Sequence, residues 1–295
     1  RLVFPTALLG FTLNTFQVGQ VSLNRIEELL KRIPKIRNEK KLITIKKVLN
    51  GNIVAKNLTI RYPNSKTDAI KNLNFSIKKG ELVALVGPIG CGKTTLARAL
   101  GRMIEVPKGQ LYLDDYDVNN ISLSNLRENI SVVPQEAYLF TSTLGENIKY
   151  GKIDSSQKEV ELAASKAKLI DDIKAFPDGF ETLVGERGIT LSGGQRQRTA
   201  LGRALLISSP IIVLDDALAS VDNETASAIL SSIRAEKNRT ILMISHQLSA
   251  AAACDRILVL NKGNLVQEGT HLELIKEEGT YKRLWERELA QETLK

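Results

Sequence analysis

The chain opens on an apolar run, "LVFPTALLGFTL", of about a dozen residues where about 20 are needed to cross a bilayer. Beyond it, in "NTFQVGQVSLNRIEELLKRI", the apolar positions Val18, Val21, Ile26, Leu29, Leu30 and Ile33 recur at helical spacing. Arg25, Glu27, Glu28, Lys31 and Arg32 lie between them. The spacing predicts a helix with an apolar stripe and a charged face. Two readings fit it: the end of a membrane helix running out into the cytosol, or an ordinary amphipathic helix with an apolar start. Pro34 breaks the pattern, and the basic, polar run through Lys47 reads as a linker to a new domain.

From there the period changes to that of strands. "IVAKNLTIRYP", "KNLNFSI" and "GELVALVG" are rich in β-branched and aliphatic residues separated by turn residues, which predicts a small sheet leading into a buried central strand. After Gly92, "KTTLARALGRMI" turns helical. A strand pair follows around "GQLYLDDYDV", then a helix-rich stretch from about Thr143 to Leu206, buried strands at "PIIVLDD" and "RTILMIS", and a final pair, "DRILVLNKG" and "NLVQEGT". The closing "HLELIKEEGTYKRLWERELAQETLK" is helical and amphipathic. Strand, glycine loop, helix and then buried apolar strands are the grammar of an α/β domain with a largely parallel sheet. The polar helical insert between Gln135 and "IIVLDD" is long enough to form a subdomain.

Length and charge narrow the picture only a little. With 295 residues there is room for one large domain or two modest ones. The net charge of +8 is compatible with nucleic acid, anionic lipid or nucleotide partners, but the basic residues are spread out. The one dense patch, "KRIPKIRNEKK", reads as a solvated or membrane-facing linker rather than a nucleic-acid reader. Two cysteines, Cys91 and Cys254, are too few and too far apart for a zinc site or a disulfide framework, which points to a reducing compartment. No signal-peptide layout is present, and a chain beginning at Arg1 is expected to be part of a longer one.

The chemistry concentrates at strand ends. "ELVALVGPIGCGKTTLARAL" places Gly87, Gly92, Lys93 and Thr94 at GxxxxGK[ST] spacing between a strand and a helix, with Pro88, Ile89, Gly90 and Cys91 inside the loop and Thr95 next in the helix. Glycines let backbone N–H groups turn inward onto phosphate oxygens, the helix N-terminus adds positive potential, Lys93 supplies a point charge, and Thr94 offers a hydroxyl to Mg²⁺. Cys91 meets a need for a small side chain; a thiol sensitised by the helix N-terminus, and protected by ATP, is the alternative. In "PIIVLDDALASVD" an apolar strand ends in Asp215, whose carboxylate suits Mg²⁺ through water, beside Asp216.

"GITLSGGQRQRTALGRALL" decides the reading. LSGGQ, Leu191 to Gln195, heading a helix before the "IIVLDD" strand, resembles the signature motif of ATP-binding-cassette (ABC) ATPases. The resemblance covers about Gly51 to Glu288. It implies an α/β fold of the P-loop NTPase class: a RecA-like core, an antiparallel β subdomain and an α-helical subdomain, preceded by an N-terminal helix. By this likeness Tyr62 in "IRYP" stacks on adenine, Gln135 in "VVPQEAYLF" is the Q-loop glutamine, Asp222 in "ALASVD" is the D-loop acid, and His246 in "ISHQLSA" touches the γ-phosphate. The implied nucleotide site comprises Tyr62, Gly87 to Thr95, Gln135, Ser192, Gly193, Gly194, Gln195, Asp222 and His246. Mg²⁺ falls to Thr94, Gln135 and Asp215, and the catalytic roles to Lys93, Gln135, Asp216 and His246.

Within the family, "TSTLGENIKYG" and "ETLVGERGITLSGGQ" resemble exporter-type cassettes, in which Glu186 would contact the membrane domain's intracellular loops. Residues 1–33 then become the end of the last transmembrane helix with its cytosolic extension and 34–50 a linker. Residues 51–288 become the cassette, with its helical subdomain at about 136–206, and 289–295 a C-terminal tail. The expected partners are a second ABC subunit, the transmembrane domain of the same full-length chain, and the membrane, with this region on the cytoplasmic side of the cell membrane and no nucleic acid bound. The family sandwiches each ATP between one chain's phosphate loop and the other's signature.

Most active cassettes of this kind carry glutamate directly after the Mg²⁺ aspartate, and here that position is Asp216. A side chain shorter by one C–C bond, roughly 1.5 Å, withdraws the carboxylate from the attacking water. This departure resembles one subunit of bacterial heterodimeric multidrug exporters, with a homodimer as the alternative pairing. The implied function is ATP hydrolysis driving export of a small, hydrophobic or drug-like substrate, slow at this chain's own site. Rival readings are a non-hydrolytic nucleotide switch, a soluble cassette acting on nucleic acid, and an importer ATPase.

Overall fold

In the computed structural model, which describes residues 2–38, 49–63, 65–235 and 239–293, the apolar run and the amphipathic stretch form one helix, α1 (Val3–Lys31). Most of the predicted linker lies outside the described residues. The chain divides into two units, 1–37 and 38–295. In the first, α1 buries none of its residues within this chain. Thr6, Thr12, Thr15 and Ser22 each return the hydroxyl to the carbonyl four residues back, at 2.8–3.0 Å. Its polar end carries the pairs Glu27–Lys31 at 2.7 Å and Glu28–Arg32 at 3.1 Å, at the spacing that adjoins them on a helix. No helix among the described residues is long and apolar enough to cross a membrane.

The second unit runs β1 (Ile53–Ile60), β2 (Ile70–Ile77), β3 (Leu82–Val86), α2 (Lys93–Leu100), β4 (Leu111–Leu113), β5 (Tyr116–Asp117), α3 (Leu123–Asn129) and β6 (Ile130–Val133). It continues with β7 (Ser142–Thr143), α4 (Leu144–Lys149), α5 (Gln157–Lys166), α6 (Ile170–Ala175), β8 (Leu183–Val184) and α7 (Gly193–Leu206). The last part comprises β9 (Ile211–Asp215), α8 (Asn223–Arg234), β10 (Thr240–Ile244), α9 (Leu248–Ala252), β11 (Arg256–Asn261), β12 (Asn264–Gly269), α10 (His271–Leu274) and α11 (Thr280–Thr293).

Three parts follow. A sheet in the order β2-β1-β4-β5 is antiparallel throughout. The central sheet, β12-β11-β3-β10-β9-β6, is parallel except for its edge strand β12. Helices α4 to α7 and the small β7-β8 pair make the helical part, with its own core of Leu139, Leu144, Ile148, Val160, Leu169 and Val184. This is the α/β architecture the sequence predicts.

Burial on both faces explains why the central strands read as continuous apolar runs, and alternation then assigns each residue to a face. On one face Val83, Leu85, Ile211, Val213, Leu242 and Ile244 pack with Leu96, Ala97 and Leu100 of α2. On the other, Leu82, Ala84, Val86, Ile212, Leu214 and Met243 pack with Ala200, Leu201, Ala204 and Leu205 of α7. The helix behind the glycine loop and the helix behind LSGGQ therefore cover opposite faces of one sheet.

Some elements differ from the sequence expectation. Helix α2 stops at Leu100, short of the predicted Ile104, because Gly101 ends it. The C-terminal stretch splits at the loop before Thr280 into α10 and α11, and α11 continues through Thr293. Helices α3, α8 and α9 and strand β6 have no separate counterpart in the sequence expectation, nor do the short strands β7 and β8 in the helix-rich stretch.

Candidate functional site

Strand β3 delivers the chain into the loop at Gly87, and α2 begins at Lys93 without a side-chain cap, leaving its first amides for whatever the loop holds. Two glycines are obligatory here. A Cβ on Gly87 (φ +148°) would lie 2.1 Å from the Leu260 carbonyl oxygen, and one on Gly92 (φ +109°) 2.5 Å from that of Ala69. At Gly90 (φ +76°) a Cβ would meet nothing within 4 Å, so this part of the loop opens outward. Pro88 is half-buried, and Ile89 at the tip is 91% exposed. Cys91 is 3% exposed, with its Sγ 3.7 Å from Lys93 Nζ, which favours the packing role over a reagent-accessible thiol. Lys93 is buried, and its ammonium donates to the carbonyls of Gly87 (2.7 Å) and Pro88 (3.1 Å). Thr95 lies 3.2 Å, hydroxyl to hydroxyl, from half-buried Tyr62, which ties the aromatic to the loop helix.

Residues 211, 213 and 215 share the α2 face, and there Thr94 Oγ1 donates to Asp215 Oδ1 at 3.2 Å. Burial pushes the Asp215 carboxyl above its usual range and the adjacent Asp216 charge adds to this, while the Thr94 hydroxyl pulls the other way. Asp216 does not simply take the opposite face. Its φ of +52° turns the chain out of the strand, its N–H donates to the Ile244 carbonyl (2.9 Å), and it is only 8% exposed. Its Oδ1 accepts from the His246 backbone N–H at 3.3 Å, and its Oδ2 lies 3.5 Å from Gln135 Nε2. Thr94, Gln135, Asp215, Asp216 and His246 are thus brought together from four separate segments. Among the described residues no three His, Cys, Asp or Glu side chains form a metal cluster. A hydroxyl beside one buried, charge-burdened carboxylate nonetheless fits Mg²⁺, which keeps most of its shell for water and phosphate.

The segment carrying His246 is held at both ends. Asp216 takes the His246 N–H, Ser245 Oγ accepts from Gln247 N (2.9 Å), and Glu288 of α11 accepts from Leu248 N (2.8 Å) and Ser249 N (3.2 Å). Glu288 supplies the cap that α9 lacks from its own N-cap residue, Gln247. Glu288→Ala leaves those amides without an acceptor and is expected to cost about 1–3 kcal/mol, read as a lower urea midpoint at unchanged slope.

LSGGQ forms the start of α7. Ser192 is the N-cap, its Oγ accepting from Gln195 N (3.2 Å) while Gln195 Oε1 accepts from Ser192 N (2.9 Å), a reciprocal capping box. Gly193 and Gly194 make the first turn, and a Cβ on Gly194 would come 2.9 Å from the Ser220 carbonyl oxygen. Asp222 is exposed and caps α8, and the bond from the Thr225 N–H (2.8 Å) holds its carboxyl below the usual range. Gln197, absent from the sequence prediction, bridges two of these loops: its Oε1 accepts from Ser220 N (3.0 Å) and its Nε2 lies 3.4 Å from the Gln135 carbonyl. A cleft of about 610 Å³ lies beside it, lined by Gln135, Tyr138, Arg187, Arg196 and Ser220.

With this geometry in hand, comparison with known proteins is decisive. The family model described as "ABC transporter" matches residues 70–219. The chain belongs to the ABC transporter family. Its ABC domain, the ATP-binding and hydrolysing part of that family, carries both the glycine loop and LSGGQ. The ATP-dependent lipid A-core flippase of Photobacterium profundum is 40% identical over 285 residues, 96% of this chain and 48% of that protein. A Bacillus subtilis relative named "Probable multidrug resistance ABC transporter ATP-binding/permease protein YheI" is 37% identical over 288 residues, 97% of this chain and 49% of its own length. Among solved structures, a bacterial Atm1-family ABC exporter with ATP bound matches with a TM-score of 0.87 and 34% identity, over 95% of this chain and 49% of that one. This ABC chain spans about half the length of the relatives it matches.

Proposed function

We propose that this chain is the ATP-hydrolysing cassette of a membrane exporter, working with a second cassette in a head-to-tail pair. The observation that carries the proposal is the placement of α2 and α7 on opposite faces of the central sheet. The phosphate loop heads a helix on one face and the signature a helix on the other, and in this reading a second chain completes each ATP site. Lys93 and the loop amides hold the phosphates, Tyr62 stacks on the base, and Ser192, Gly193 and Gly194 face the partner's γ-phosphate. Asp222 lies along the pairing surface. Mg²⁺ supplies neutralisation of phosphate charge, and Thr94 and Asp215 would hold it, with Gln135 beside them. His246 contacts the γ-phosphate, and Asp216 occupies the position of the base.

In this proposal residues 1–33 form the end of the last transmembrane helix with its cytosolic extension, 34–50 the linker, and the cassette sits at the cytoplasmic side of a cell membrane. Support comes from α1, whose apolar side chains are exposed and whose hydroxyls are satisfied within the helix, and from the "ATP-binding/permease" name of one relative. Exposed Tyr138 and Tyr150 beside Phe140, together with exposed Glu186, offer a surface for the intracellular loops. The cargo is a small amphiphile of lipid or drug type, a class drawn from the relatives' names, and the partner is a different subunit that carries the faster site.

Lys93→Ala tests the nucleotide site directly. A charge-assisted contact is worth about 1.5–3 kcal/mol, so Mg-ATP should bind about tenfold to a hundredfold more weakly, measured by titration with a fluorescent ATP analogue. Unchanged affinity would exclude Lys93 from the phosphate site.

A further inference from the structure

The geometry points to Asp172 as the residue that positions this chain's signature turn for the partner's ATP, an inference that rests on the reading just proposed. Asp172 lies on α6, well before LSGGQ in sequence, yet its carboxylate meets α7 through two residues. Its Oδ2 pairs with Arg198 Nη1 at 2.8 Å, and its Oδ1 accepts from Gln195 Nε2 at 3.0 Å and Arg198 Nη2 at 3.3 Å. The ion pair is largely shielded, with side chains 17% and 22% exposed, unlike the exposed pairs that contribute little.

The consequence follows from the chemistry of an amide. Gln195 has one end that donates and one that accepts. With Nε2 committed to a carboxylate, which only accepts, the end left for the Ser192 N–H is Oε1, and that bond is made at 2.9 Å. Asp172 therefore selects the orientation of Gln195 on which the capping box depends. Arg198 extends the hold: its Nε lies 3.4 Å from the Gly194 carbonyl and its Nη1 donates to the Lys168 carbonyl at 2.6 Å. The turn from Ser192 to Gly194 is thus fixed by a polar net centred on one carboxylate. Asp172 acts through Gln195 and Arg198, so it is a positioning residue.

The test uses the proposed action of the signature in trans. In the assembled transporter, Asp172→Ala should lower ATP turnover at saturating ATP by about tenfold to a hundredfold, the cost of a misplacement of about 1 Å. Mg-ATP binding to this chain's own phosphate loop should be unchanged. Asp172→Asn, which retains an acceptor oxygen for Gln195, should restore most of the turnover. Wild-type turnover in Asp172→Ala overturns the inference, as does a parallel loss of turnover and own-loop binding, which marks general unfolding. Ser192→Arg is the control. If it cuts turnover while Asp172→Ala is silent, the positioning role alone fails; if Ser192→Arg is also silent, the reading of the signature fails with it.

Discussion

Ser192→Arg should cut ATP turnover by the assembled transporter to the slow residue left at this chain's own loop, whereas Asp216→Asn should leave it nearly unchanged. Ser192 Oγ is the acceptor for Gln195 N at the N-cap of α7, and losing such a cap costs about 1 kcal/mol. The larger effect is steric and electrostatic. A long cation at an exposed helix start opposes the dipole and fills the space through which a phosphate must approach the first amides. Because α7 and α2 cover opposite sheet faces, this chain's own loop should keep its affinity for Mg-ATP to within about twofold, as expected for distant, independent sites. Turnover assays on the pair and nucleotide titrations on this chain read the two effects separately. The reverse ranking, with Asp216→Asn inactive and Ser192→Arg active, would show that Asp216 is a working base and that the signature is idle.

The parts of this site that the sequence revealed are those whose chemistry is local. The glycine loop, LSGGQ and the strand ending in Asp215 each compress their requirement into a few adjacent residues, legible as spacing in the glycine loop and as a family resemblance in LSGGQ. What remained hidden was carried by contacts distant along the chain. Gln197 reaches the Gln135 carbonyl, Glu288 reaches the amides of Leu248 and Ser249, and Asp172 reaches Gln195 and Arg198. Each reads in isolation as an ordinary polar residue on a helix. Sheet order was equally out of reach: β6 sits at the edge beside β9. Two further signals are local. "VDNETASAIL" is an aspartate before a helix, and Asp222 does cap α8, while the S-x-x-Q of the signature is a capping box. Asp222 thus has a structural task in addition to any at the pairing surface.

The substitution Asp216→Glu should raise hydrolysis at this chain's own site by about tenfold to a hundredfold, the rate typically forfeited by a displacement of about 1 Å. As it stands, the Asp216 carboxylate is drawn inward: it is 8% exposed, it accepts from His246 N at 3.3 Å, and it lies 3.5 Å from the Gln135 amide. One more C–C bond, about 1.5 Å, lengthens the reach of the carboxylate beyond these partners, and in the proposed reading the nucleotide's attacking water lies within that reach. Backbone strain works against the change, since φ is +52° and a left-handed residue other than glycine costs roughly 1–2 kcal/mol, with aspartate among the tolerant types. A hundredfold rate gain corresponds to about 2.7 kcal/mol, and strain borne equally by ground and transition states lowers stability without lowering the rate. The measurement is cleanest in the Ser192→Arg background, where the partner's site is silenced and the residual turnover belongs to this chain's own loop. If Asp216→Glu instead lowers that residual turnover, aspartate is the length this site requires. Its bond to the His246 amide is then the arrangement that hydrolysis uses.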